Sequence, residues 1–150
     1  TLVGQNLGAG QPDRAETSVW KTGKYNAWFM GLVSIIYLLF AHSIVGWFND
    51  NPVVVQNGGL CLQIIAAGYI FYAYGMVVTQ AFNGAGDTQT PTRINFVAFW
   101  LFQLPLAYLA SITFGFGAVG VFVAITTAEV LLAIIAIIWF KKGKWKLTQV

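Results

Sequence analysis

The stretch YNAWFMGLVSIIYLLFAHSIVGWF, Tyr25 to Phe48, decides the fold. It has no charged side chain and runs past the about 20 apolar residues needed to cross a ~30 Å hydrocarbon core. Three more windows come after it. Leu60 to Phe82 and Ile94 to Phe116 also carry no charge, and Ala118 to Phe140 carries one, Glu129. Backbone polar groups cannot stay unpaired in hydrocarbon, and windows of this length alternate too weakly for barrel strands, so each is predicted to be a helix. The predicted fold class is an all-α, polytopic membrane helix bundle.

Composition agrees. Hydrophobic residues make up 57% of the 150 and charged residues 9%, against about 25% charged in soluble domains. The formal net charge of +3 could suggest nucleic acid, but the basic residues sit beside the apolar windows and form no RNA- or DNA-binding motif. The single cysteine, Cys61, excludes an intrachain disulfide framework and any multi-cysteine metal site, and reads as a small packing residue. The chain begins at Thr1 without an initiator Met or signal-peptide features, as expected of a piece of a longer protein.

Threading the four windows as successive crossings puts every Lys and Arg on one side. Arg14, Lys21 and Lys24 precede the first crossing, Arg93 lies between the second and third, and Lys141, Lys142, Lys144 and Lys146 come after the fourth. The positive-inside rule then makes both chain ends cytoplasmic. Residues 1–24 are read as a cytoplasmic loop and lead-in helix, 25–140 as the four crossings, and 141–150 as a basic cytoplasmic tail acting as a stop-transfer anchor. Trp20, Trp28, Trp47, Trp139 and Trp145 fall near window ends, where amphipathic rings favour the headgroup region.

Two loops share a pattern, NLGAGQP at Asn6 to Pro12 and NGAGDTQTP at Asn83 to Pro91, each with an arginine just beyond it. Gly8, Gly10, Gly84 and Gly86 are expected to serve backbone geometry, through positive φ or close approach. Pro12 and Pro91 mark helix starts, with Thr90 as the N-cap of the third crossing and Asp87 ahead of it, where a negative charge suits the helix dipole. No strand precedes either GAG, so neither makes a phosphate-binding loop. In the fourth window Gly120, Ala124 and Ala128 form a ridge that lets another helix approach closely, and Gly68 and Gly75 can do the same in the second.

Pro105, at the middle of the third window, removes a backbone donor opposite the Leu101 carbonyl and predicts a kink, either packed or lining a polar cavity. Glu129 is the only charge at mid-membrane depth. An ionised side chain there costs about 2.5–3.5 kcal/mol on insertion scales, so it should face the bundle or a wet cavity, as a helix staple or as a transport-path carboxyl. Thr126, on the same helical face, and Gln103, near Pro105, are its candidate hydrogen-bond partners. The sole histidine, His42, has no nucleophile partner in sight and reads as an interfacial residue, and no enzyme activity is expected.

At VGQNLGAGQPDRAE, Val3 to Glu16, and FNGAGDTQTPT, Phe82 to Thr92, the sequence closely resembles the C-terminal half of MATE (multidrug and toxic compound extrusion) transporters. These stretches match the loops between the family's eighth and ninth and its tenth and eleventh helices. FWLFQLPLAYLA, Phe99 to Ala110, is similar to the eleventh helix, and the KKGKWK ending is similar to the segment after the twelfth. The resemblance implies a twelve-helix protein of two lobes in the plasma (inner) membrane, exporting organic, often cationic compounds in exchange for sodium ions or protons. It implies no cofactor beyond that coupling ion. Its partners would be membrane lipid, a small organic substrate and the missing N-terminal lobe, with no nucleic acid. Alternatives are a lipid-linked oligosaccharide flippase of the same superfamily and a non-transporting assembly subunit. Some MATE members use an acidic residue on the tenth helix, but the matching Leu60 to Phe82 window has none.

The threading has a direct check in the full-length protein. Cysteines placed at Asn51 and Lys144 in a Cys61→Ser background should react with an impermeant maleimide in intact cells only at position 51, and labelling at 144 without permeabilisation would overturn it.

Overall fold

The computed structural model describes residues 1–147. The last three residues of the predicted basic tail lie outside that range. Helices α1 (Leu2–Gly8), α2 (Pro12–Gly46), α3 (Pro52–Ala67) and α4 (Tyr69–Gly84) lead into a long composite rod. The rod comprises α5 (Gln89–Asn95), a π-wound segment Phe96–Gln103, α6 (Leu104–Tyr108) and a second π segment Leu109–Thr113. Helix α7 (Gly117–Lys141) and a 3-10 turn, Lys144–Leu147, end the described chain. Three rods, α2, the composite and α7, are each long and apolar enough to cross a membrane, and the bent pair α3–α4 is as well when its two helices are taken as one span.

The lead-in segment and the first crossing are one helix. Pro12 occupies the first turn of α2, and 35 residues at 1.5 Å each give a rod of about 50 Å, well beyond a ~30 Å hydrocarbon core. The excess carries Asp13, Arg14, Glu16, Lys21 and Lys24. The second span starts at Pro52 rather than Leu60, because Asn51 caps it by accepting the Val53 N–H at 3.0 Å.

A sharp bend lies at a position the sequence reads only as small-residue packing. The composite rod stays continuous through Pro105, which sits at the start of α6 between two π segments. In π winding an N–H reaches back five residues rather than four. The 57° bend is at Gly68, between α3 and α4.

The two Gly-rich loops close alike. Gln11 N–H donates to Asn6 O at 2.8 Å, and Asp87 N–H to Phe82 O at 3.0 Å, while Gly10 (φ +68°) and Gly86 (φ +82°) adopt the left-handed turn. These are matching helix C-terminal caps. Gly8 and Gly84 have ordinary helical backbones with open or normal van der Waals space beside them, so only the second glycine of each GAG is conformationally required. Thr90 lies inside α5 and does not cap it. The N-cap is Thr88, and Asp87 just ahead of it accepts the Thr90 N–H at 3.0 Å.

Small residues set the helix spacing. Gly120, Ala124 and Ala128 are buried, and a Cβ on Gly120 would meet the Ala110 backbone at 2.7 Å. Gly75 packs on Ala133 and Leu132, bringing α4 against α7. His42 lies over Gly59, joining α2 to α3 at the end remote from the basic residues.

At the basic end the tail folds back. Gly143 (φ +72°) turns the chain, and Trp145, 1% exposed, stacks on Phe140 at 4.6 Å and donates its indole N–H to Phe140 O at 3.0 Å. Trp20 and Phe82 meet the same ring edge-on. Lys146 bridges Asp13 at 3.0 Å and Glu16 at 2.6 Å. Trp145 is thus a core residue joining α7 to α2, where the sequence pattern suggests an interfacial ring on a simple anchor.

The Lys146 ammonium, with the Trp20 indole, holds the Glu16 carboxyl below the usual carboxylate range, and Glu16 and then Asp13 hold Lys146 above the usual lysine range. Glu16 therefore contributes fully above ordinary carboxylate values and loses its contribution as pH falls through its lowered value. Lys146 contributes below ordinary lysine values and loses it as pH rises through its raised one. The ionic part is solvent-screened and worth at most about 1 kcal/mol, whereas removing the buried indole costs about 3–5 kcal/mol. In thermal unfolding of the full-length protein, Trp145→Ala should lower the midpoint much more than Lys146→Ala, and the Lys146→Ala difference should vanish in acid.

Candidate functional site

The bend at Gly68 creates a chemical difficulty in hydrocarbon. Gly68 N–H turns to Ile65 O at 3.0 Å instead of continuing the α-helical pattern to Ile64 O. Two hydroxyls from neighbouring crossings donate to carbonyls at the bend, Ile64 O and Ala66 O, the latter also accepting a backbone N–H. Thr126 of α7 donates to Ile64 O at 3.1 Å, sharing its proton with Phe122 O at 3.1 Å, and Ser34 of α2, buried, donates to Ala66 O at 2.7 Å. Further along, Asn26 donates to Ala73 O at 3.2 Å. The bent span is therefore held from both sides by polar side chains.

Beside the bend, α2, α3, α4 and α7 enclose a cavity of about 340 Å³. Glu129 lines it, half-buried, with Thr126 one turn earlier on α7, Tyr69 and Tyr72 from the first turn of α4, and Met30 from α2. A larger hollow of about 470 Å³ between α1, α2 and α4 is lined by Ser18, Thr22, Asn26 and Gln80 and holds no titratable side chain. The smaller cavity is the one with chemistry: a carboxyl, two phenols and a thioether around a break in a membrane span.

Of the residues singled out from sequence, Glu129 and Thr126 meet in this cavity. Thr126 serves the backbone of α3 and α7 rather than the carboxyl. Gln103 is half-buried on the composite rod and does not line the cavity, so the expected pairing with Glu129 does not form. Pro105 is exposed on that rod and also lies outside the lining. The Gly8/Gly10 and Gly84/Gly86/Asp87 loops belong to helix capping. Sequence reasoning missed Ser34, Met30, Tyr69, Tyr72 and the role of Gly68. The readable signal was a glycine inside one apolar window, with two small hydroxyl residues in each of two others, Ser34 and Ser43, and Thr126 and Thr127.

The MatE family model matches residues 1–109, from α1 to the start of the second π segment. This chain belongs to the MatE family. Among its relatives, a probable multidrug resistance protein NorM of Thermotoga maritima is 25% identical over 97% of this chain and 32% of its own length. An uncharacterized transporter YisQ of Bacillus subtilis is 24% identical over 95% of this chain and 32% of its own. An FAD transporter of Shewanella oneidensis is 27% identical over 89% of this chain and 29% of its own. The MatE chain thus spans about a third of the length of the curated relatives it matches. Glu129 and α7 lie past the residues the family model covers.

A Cβ on Gly68 would meet Thr126 Cγ2 at 2.7 Å but Ile65 O only at 3.4 Å, so the threonine methyl is the obstacle. Overpacking of this kind costs about 1–3 kcal/mol. Gly68→Ala should lower the unfolding midpoint of the full-length protein, and adding Thr126→Ser, which keeps the hydroxyl and removes the methyl, should restore it. Equal destabilisation with and without Thr126→Ser would show that the bend does not depend on this contact.

Proposed function

We propose that the full-length protein is a multidrug exporter, a secondary active antiporter that moves small organic, often cationic compounds outward in exchange for sodium ions or protons by alternating access. It would sit in the plasma membrane with both ends of this segment cytoplasmic and with an N-terminal lobe of the same protein completing the pathway. The observation that carries the reading is a lone carboxyl on a cavity at a bent crossing, in a chain of a family whose relatives bear multidrug-resistance and transporter names. Ionisable groups at membrane depth mark transport paths and coupling sites.

The cavity chemistry favours cationic over anionic cargo at this site. Its one charged side chain is acidic, and no Lys, Arg or His lines it. The name of the Shewanella relative concerns a phosphate-bearing cargo, which would meet repulsion from Glu129. The aromatic walls supply faces that attract a delocalised cation.

Expression of the full-length protein in a host stripped of its own multidrug pumps should raise tolerance to ethidium and accelerate its efflux, and both effects should disappear when the ion gradients are collapsed. Tolerance and efflux equal to those of an empty vector would refute the exporter reading.

A further inference from the structure

We propose that the basic ends of α2 and α7 together hold the phosphate of an anionic phospholipid, with Lys21 and Lys24 on one helix and Lys141 and Lys142 on the other. The site depends on the orientation given above, with this end cytoplasmic, and on neither cargo nor coupling ion.

The outward stripe of α2 sets the depth. Lys21, Tyr25, Trp28, Leu32, Ile35 and Leu39 recur at alternating spacings of four and three, which places them on one helix face, and all six are exposed. Their order runs from ammonium through phenol and indole to aliphatic. That is the order of headgroup, interface and hydrocarbon across one leaflet. Close helix contacts in membranes use Gly, Ala, Ser and Thr, as this bundle does at Gly75 and Gly120, whereas the stripe consists of large side chains. It is therefore a face for acyl chains rather than for another crossing.

Helix α7 brings its lysines to the same level. The Trp20 and Phe140 rings meet at 5.5 Å, and Lys21 and Lys141 are the residues that follow them. Ile134, Ile138 and Lys141 repeat the exposed spacing of four and three, so an aliphatic face again ends in an ammonium. Lys142 directly follows, and Lys24 lies one turn from Lys21; both are exposed.

The folded-back tail keeps nearby acids from competing. Lys146 makes both ion pairs found among the described residues and takes up Asp13 and Glu16, while Asp87 accepts the Thr90 N–H. Four ammoniums at headgroup depth thus keep their charge for an anion from outside the segment. A phospholipid phosphate can accept charge-assisted hydrogen bonds from several of them at once, and basic residues placed this close to an anionic leaflet attract it.

The test is native mass spectrometry of the full-length protein in detergent with added phosphatidylglycerol or phosphatidylcholine. Phosphatidylglycerol should bind in preference. A basic residue at the membrane surface is worth about 1 kcal/mol, or roughly fivefold, so Lys21→Gln combined with Lys141→Gln should weaken that binding about thirtyfold. The same charge removed at this end by Lys144→Gln with Arg93→Gln should change it much less. Equal losses in the two double variants would show general attraction to the basic end and overturn the site, as would equal binding of the two lipids by the wild type. In detergent without added lipid, Lys21→Gln with Lys141→Gln should unfold at the wild-type midpoint. A clearly lowered midpoint there would mean that these lysines pair with carboxyls elsewhere in the protein, which also overturns the proposal.

Discussion

A helix that bends inside hydrocarbon leaves carbonyls that water cannot reach, and the arrangement of this bundle depends on how those carbonyls are served. An unpaired amide group in an apolar medium costs several kcal/mol. At Gly68 the solution is two hydroxyls, Ser34 from one side and Thr126 from the other. Each must approach within hydrogen-bond distance of the bent span, which fixes α2 and α7 against it. The absence of a Cβ at Gly68 and at Gly75 makes the α7 approach sterically open. The cavity at Glu129 is then the space left where a bent rod crosses two straighter ones.

The composite rod carries its proline differently. Pro105 has no N–H, and it sits in the first turn of α6 with π winding on either side. Gly120 lets α7 lie directly against the Ala110 backbone in that wound region. At the basic end a third device operates: Trp145 stacks on Phe140, whose ring also meets Phe82 and Trp20 edge-on, and Lys146 adds a screened ionic clasp to the start of α2. Packing holds this end together, with charge fixing the direction in which the tail folds.

Much of this architecture was legible because membrane depth imposes rules on composition. Tyr25 to Phe48 and Ala118 to Phe140 announce their helices through the scarcity of charge, and Glu129 stands out for the same reason. The paired GAG loops were readable as a repeat, and their backbones agree, because a left-handed residue after a helix demands glycine. What stayed hidden depends on partners in space. Gly68 looks like any small packing residue until Ser34 and Thr126 arrive from other crossings. Gln103 reads as close to Glu129 because a tight turn joins their helices, but sharing a hairpin does not place two side chains on facing sides. Trp145 and Lys146 read as an anchor because a basic, aromatic-containing tail has the same composition whether it lies on lipid or folds back on Phe140.

The bend at Gly68 is held by two hydroxyls that reach it from neighbouring crossings, Ser34 and Thr126. Thermal unfolding of the full-length protein reads that dependence directly. We predict that Ser34→Ala and Thr126→Val each lower the midpoint, because each removes a donor to the backbone of the bent pair, and that Thr126→Ser lowers it much less than Thr126→Val. Midpoints equal to that of the wild type in both Ser34→Ala and Thr126→Val would contradict the claim that these hydroxyls hold the bend.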